Sequence, residues 1–350
     1  MSAVDVTETG KRVRPVFDHL AALTDQRGLF EHALFDAPRP EHGYCLDDAA
    51  RGLVVTTREP QPGPLVAALQ ERYLQFVLDA VRPGGACHNR MGPDGTWQDE
   101  AGTGDWWGRA VWGLGVAAAH ASTGGQRARA LAGFRVVAQQ RSAHGRSMAF
   151  AALGAGEVLR ARSGELAARE LIGDAVRAVD PPGPRRATDS GWPWPESRLR
   201  YANAVLAEAV LVAGDVLADK AVRTRGLQLL AFLLRIEICD RRLSVTPVAG
   251  RGPNESGPSF DQQPIEVAAI ADACASAYRI TGDPRWLTGI NLAWRWFLGD
   301  NDAGTPMFDS VTGGGYDGLG VHGPNLNQGA ESTLAMLSSA QHARHVQQLR

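Results

Sequence analysis

Segments rich in alanine and glycine alternate with amphipathic ones along nearly the whole chain, and this constrains the fold more than any other feature. The small-residue segments open near residues 48, 106, 146, 201, 265 and 329, at spacings of 40 to 64 residues. A helix built of such residues lets neighbours approach on every side. The segments between them, such as 65–81 with Leu65, Leu69, Tyr73, Phe76 and Val77, place apolar residues at helical spacing on one face. That is the signature of a helical-hairpin repeat. No period-two run of β-branched residues competes with it. Counting Val13–Leu34, loosely capped and interrupted near Gly28, as the first amphipathic helix and Gln328–His342 as the last small-residue one, the chain is predicted to form twelve helices. The expected fold is all-α, an (α/α)6 toroid of six inner and six outer helices. Residues 1–12 are read as a flexible N-terminus, 13–342 as one toroid domain and 343–350 as a C-terminal tail. The long polar loops all precede inner helices, so they gather at one end of the ring, and the site is expected there.

Composition removes several alternatives. A net charge of −2 leaves no basic footprint for nucleic acid or an anionic membrane. No apolar run approaches the roughly 20 residues of a membrane span, and the start of the chain lacks the apolar core of a secretory signal. A cytoplasmic location is the resulting expectation. The four cysteines are far apart, without CxxC spacing, and the nine histidines are dispersed without an HExxH pattern. No metal and no cofactor are therefore expected.

Each inner-helix entrance carries a polar phrase. The first packs His42, Tyr44, Asp47, Asp48 and Arg51 into ten residues; the two aspartates fall at or just inside the helix start, where the free N–H groups favour carboxylates. The second holds Trp97, Asp99, Glu100 and Asp105, and the weaker third runs His144-Gly145-Arg146-Ser147. The fourth runs Trp192-Pro193-Trp194-Pro195-Glu196 and on to Tyr201 and Asn203. The fifth is Phe260-Asp261-Gln262-Gln263-Pro264-Ile265-Glu266, and the sixth includes His322, Asn325, Asn327, Gln328 and Glu331. Aromatic faces bury the apolar side of a sugar ring while carboxylates and amides bond its hydroxyls. Glycosidic cleavage needs two carboxyl groups, one protonated and one not, across the scissile bond. Adjacent acids such as Asp47 and Asp48 split their pKa values by mutual repulsion. Each of these acids also has a structural reading, as a helix cap or as the partner of Arg51, Arg109 or Arg200.

At these residues the chain resembles a bacterial family of (α/α)6-toroid carbohydrate-active proteins, found alone or fused to and encoded beside glycosyltransferases. Four phrases carry the resemblance, in order: His42–Leu53 against HGYCTDDNARAL, Trp192–Ala204 against WPWFEDxLxYDNA, Phe260–Glu266 against FDQQPxE and Asn325–Ala335 against NxNQGAESTLA. The chain departs from them at Leu46, Ala49, Pro195, Ser197 and Ala202, where the patterns have Thr, Asn, Phe, Asp and Asp. The resemblance implies glycan processing, with an oligosaccharide or glycoconjugate as substrate and a glycosyltransferase of the same pathway as partner.

These readings together predict a glycoside hydrolase. Asp47 or Asp48 is expected as one catalytic carboxylate and Glu196 or Asp261 as the other. Trp97, Trp192 and Trp194 are expected to stack sugar rings, with Trp112, Trp286, Trp294 and Trp296 in the core. The rest of the predicted binding set is His42, Tyr44, Asp105, Tyr201, Asn203, Gln262, Gln263, His322, Asn325, Asn327, Gln328 and Glu331. Two alternatives stand beside this. One is a sugar epimerase or isomerase using His42, His144 or His322; the other is a non-catalytic glycan-binding partner, favoured by the acids missing at 197 and 202.

Overall fold

The computed structural model describes residues 13–180 and 192–349. The reading of residues 1–12, and Gly191 at the head of the fourth entrance, lie outside the described residues. A short α1 (Asp18–Ala22) is followed by the hairpin β1 (Ala33–Leu34) and β2 (Ala37–Pro38). Strand β3 (Tyr44–Cys45) leads directly into α2 (Leu46–Thr57), and α3 (Pro64–Ala80) returns along its outside. After β4 (Arg90–Met91), which pairs with β3, come α4 (Asp105–His120), α5 (Gly124–Val137), α6 (Gly145–Ala161) and α7 (Leu166–Val179). The second half holds α8 (Asn203–Val216), α9 (Lys220–Glu237), the hairpin β5 (Ile238–Cys239) and β6 (Arg242–Leu243), α10 (Pro264–Thr281) and α11 (Arg285–Phe297). A last hairpin, β7 (Gly318–Gly320) and β8 (Gly323–Asn325), precedes α12 (Ala330–Gln348).

The even-numbered helices form the inner ring. Each packs on the next, and α12 returns to α2, which closes it. Small residues make this closeness possible. A Cβ on Gly154 of α6 would lie 2.2 Å from the Val111 carbonyl oxygen of α4, and one on Gly115 2.3 Å from the Gly154 carbonyl oxygen. Any larger side chain there would drive the two helices apart. The outer helices turn their apolar faces inward; on α11, Trp286, Trp296 and Phe297 are buried, in keeping with the core role expected for the tryptophans of that helix. Helix ends are fastened locally, by a capping box of Thr123 and Gln126 on α5 and by the Asp219 carboxylate, which accepts from two N–H groups, on α9.

Two expected boundaries are corrected. Val13–Leu34 is not one helix: α1 has five residues, and the chain then turns where the Asp25 carboxylate accepts from the N–H groups of Arg27 and Gly28. Gly28 packs on the Phe76 ring so closely that a Cβ would lie 2.8 Å from it. Helix α12 runs to Gln348, past the expected end at His342, with Ala343 and Val346 buried. No helix among the described residues is long and apolar enough to cross a membrane.

Candidate active site

The N-terminal ends of the inner helices and the loops before them surround a cleft of about 800 Å³. Asp47 and Arg51 of α2, Asp105 and Arg109 of α4, Arg146 of α6, Glu196, Arg200 and Tyr201 before α8, and Glu331 of α12 line it. Asn89, Trp106, His144, Gln263 and Ile265 complete the wall. Helical geometry explains why α2 and α4 each present an acid and a base: Asp47 and Arg51, and Asp105 and Arg109, stand four residues apart on one helix face, while the loop before α8 supplies Glu196, Arg200 and Tyr201. Four carboxylates and four guanidinium groups share the cleft, so its charge is balanced.

The pairing is specific. Arg146 donates from both terminal nitrogens to the two oxygens of Glu196, and its Nε donates to the Tyr201 carbonyl at 2.6 Å. Its guanidinium also lies 5.0 Å from the centre of the Tyr201 ring. Arg51 bridges Asp48 at 2.9 Å and Glu331 at 2.8 Å, and Ser147 donates to Asp105 at 2.6 Å. Arg109 Nη1 lies 2.9 Å from Asp47 Oδ1 but off the hydrogen-bonding direction, so that oxygen has a charge partner and no donor aimed at it. Behind it Asp48 is buried; burial pushes its carboxyl up from 3.8 to about 7, with Arg51 pulling the other way and Glu331, Glu31 and Asp47 adding to the rise. Under the fourth entrance Glu266 accepts from the N–H groups of Ala202 and Asn203 and from the Asn203 side chain, which fixes the turn that carries Tyr201. Ala202 itself sits at φ 46°, in the left-handed region.

Of the acids and binding residues expected from sequence, Asp47, Asp105, Glu196, Tyr201, Gln263 and Glu331 line this cleft. The others sit elsewhere. Asp261 is exposed outside the lining. Tyr44 is buried, its hydroxyl donating to Asp25 at 2.7 Å and its ring stacked on Phe30. His42 lies edge-on to His32 at the surface, and His322 and Asn325 are exposed around the β7–β8 hairpin. Asn203 bonds Glu266; Gln262 donates to Asp302 at 2.7 Å and accepts from the Trp296 indole; Asn327 accepts from the Phe35 N–H; and Gln328 accepts from Thr312. These amides hold the loops together. The tryptophans expected as sugar platforms are packed against protein: Trp97 stacks on His88, while Trp192 and Trp194 both contact Phe232 of α9. Trp112 is buried inside the ring, as expected for core.

Arg146 is the residue that sequence reading missed as a centre of the site. Its only signal was an arginine in the first turn of an otherwise Ala/Gly-rich helix. One set of side chains has the spacing of metal ligands, Glu31, Cys45 and Asp48, with donor atoms within 4.8 Å of one another. Arg90 already pairs with Glu31 and Arg51 with Asp48, and burial pushes the Cys45 thiol well up, so the set is satisfied by the chain's own cations.

Below the cleft the ring axis narrows. Val54, Val55, Phe150, Val205, Ala268, Ala269, Leu334 and Ala335, with Arg51, Arg109 and Glu331 at one end and Arg58 and Asp272 at the other, leave only about 40 Å³ of space.

No protein-family model matches the chain, and neither does any curated protein. Solved structures do. A sugar epimerase from a ruminal bacterium superposes with a TM-score of 0.68 at 13% identity, over 93% of this chain and 95% of its own. A D-mannose isomerase gives 0.68 at 10% identity over 99% and 100%. The alpha-mannanase of Bacteroides thetaiotaomicron gives 0.58 at 10% identity, over 87% of each chain. The chain has the glycoside-hydrolase-like (α/α)6 fold. At these identities the likeness speaks for the fold alone, since one fold hosts many reactions; epimerases, an isomerase and hydrolases all share it.

Proposed function

We propose that the protein is a sugar-processing enzyme acting on an uncharged saccharide in this cleft, with glycosidic bond cleavage as the leading reaction. The carrying observation is the lining itself: four carboxylates face the cleft and His144 is the histidine among them. Four guanidinium groups balance the acids, which suits a polyhydroxylated neutral ligand that both donates and accepts hydrogen bonds better than a polyanion. The Asp47–Asp48 pair supplies the acid side. Asp47 faces the cleft with an Oδ1 that accepts no hydrogen bond, and Asp48, buried behind it, has its carboxyl raised to about 7 by burial. Glu196, aimed by the two-pronged Arg146, supplies the base or nucleophile. Asp47 opens α2 and Glu196 precedes α8, three places apart in the ring of six, so the acid would meet the glycosidic oxygen from one side of the cleft and Glu196 the anomeric carbon from the other.

The second reading is epimerisation or isomerisation at the carbon beside a sugar carbonyl. The presence of His144 in the lining favours it, since an imidazole paired with a carboxylate can remove and return a proton. It draws further support from the epimerase and isomerase names among the structural neighbours. One assay in D2O separates the two. End-labelled manno- and gluco-oligosaccharides give shorter products under cleavage. Reducing sugars exchange their C2 hydrogen for deuterium under epimerisation. Turnover by cleavage is expected to fall roughly 10²–10⁴-fold in Asp47→Asn and in Glu196→Gln. Unshortened oligosaccharides with C2 exchange intact would replace the first reading by the second.

A further inference from the structure

The other mouth of the ring holds a second cavity, of about 430 Å³, between the C-terminal halves of the inner helices. Its polar side is almost fully committed. Arg58 donates to Asp272 at 2.6 Å and to Ser338 at 2.8 Å, and His342 bonds the same Asp272 oxygen at 2.6 Å. Arg279 pairs with Glu157 at 3.1 Å, and Glu157 is further held by Arg160 and His120; Arg344 pairs with Glu59. Two acceptor oxygens in the cavity wall are the exceptions, Gln341 Oε1 of α12 and, the charged one, Glu208 Oε2 of α8. Glu208 is 5% exposed, its Oε1 accepts from Ser276 at 2.6 Å, and its Oε2 has no hydrogen-bond partner. A buried carboxyl oxygen without a donor is costly to leave so. Burial and the neighbouring Asp272 accordingly push the Glu208 carboxyl up.

We propose that this cavity is a second ligand site, independent of the saccharide cleft, for a small organic ammonium compound. Its charged head would donate to Glu208 Oε2, and its apolar arm would lie along Trp112, Leu153, Val212 and Ile290. Three observations carry the choice of ligand. The unmet groups are acceptors, so the ligand is a donor. Arg58, Arg279 and Arg344 are each paired to a different acid, so a carboxylate or phosphate would find no free charge. Trp112, Val116, Leu153, Val212, Leu287 and Ile290 give the wall an apolar stretch, and the face of an indole attracts cations, as Arg58 already shows at 5.7 Å from the Trp112 ring centre. The terminal torsion of a glutamate is broad and the Ser276 hydroxyl is a rotor, so a turn of the carboxyl that brings Oε2 to the cavity moves Oε1 with it and is followed by its single donor.

The test is calorimetric titration of the full-length protein at pH 8 with hexylamine, with hexan-1-ol and hexanoate as probes of the same arm. Hexylamine is expected to bind at least about tenfold more tightly than either control, and Glu208→Gln to weaken it at least about tenfold. Absence of hexylamine binding up to about 10 mM overturns the proposal. So does hexan-1-ol binding as tightly as the amine, or unchanged amine affinity in a folded Glu208→Gln protein. The comparison among the three probes needs no variant, so it decides the matter even where Glu208→Gln does not fold.

Discussion

Asp48 exchanges its proton in the middle of the physiological range, and that couples it to folding. Its carboxyl is raised from an ordinary value near 3.8 to about 7, so between those values the folded chain holds a proton that the unfolded chain has released. Stability must then fall as pH rises through this window, by at most about 1.4 kcal/mol per pH unit from this group. Urea unfolding at stepped pH is expected to show this decline between pH 4 and 7 in the wild type and to show less of it in Asp48→Asn. A second residue-scale prediction concerns the fourth entrance. Trp194 is 5% exposed and stacks on Phe232, so Trp194→Ala should cost about 3–5 kcal/mol in chemical denaturation. Trp192 stands edge-on to Phe232 and its indole donates to the Glu196 carbonyl at 2.8 Å, so Trp192→Phe should lower turnover through Glu196 and change saccharide affinity little by calorimetry; a large loss of affinity would restore the platform reading of that ring.

At the scale of elements, α4 and α6 touch through glycine. Gly154→Ala is expected to destabilise by about 1–3 kcal/mol, read as a lowered denaturation midpoint, because its Cβ would meet a backbone carbonyl that cannot move alone. The same small-residue stripes made the inner ring legible from sequence: alanine and glycine at every turn permit few other packings. The start of the chain was less legible. Phe17, Leu20, Leu23 and Phe30 imitate one helical face, yet one carboxylate, Asp25, captures two N–H groups and ends the helix. The site was legible in part for a similar reason. Polar phrases mark the right end of the ring, but a loop amide serves either a ligand or its own backbone, and spacing does not say which. Gln262 and Gln328 went to the backbone and neighbouring side chains; Gln263, one residue on, went to the cleft. Arg146 was hidden because a lone arginine in a helix reads as a solvated charge.

On the scale of the whole molecule, closure joins the two ends of the sequence. Gln341 of α12 donates to the Val55 carbonyl of α2 at 2.8 Å, and Arg344 pairs with Glu59 at 2.9 Å. A chain ending before Ala330 would leave α2 and α10 each with an open apolar flank. It is expected to lose the single cooperative unfolding transition, as thermal circular dichroism would show, and to run as an expanded species in gel filtration. Along the ring axis, finally, valine, alanine, leucine and phenylalanine side chains leave about 40 Å³ between the two mouths, little more than one water molecule's share of the liquid. No sugar ring passes through so small a space. A polymer can offer the cleft a terminus or lie across its rim, but it cannot be threaded through and ratcheted along. A chain held by its terminus departs by the mouth it entered, so it has to withdraw before the next terminus is admitted.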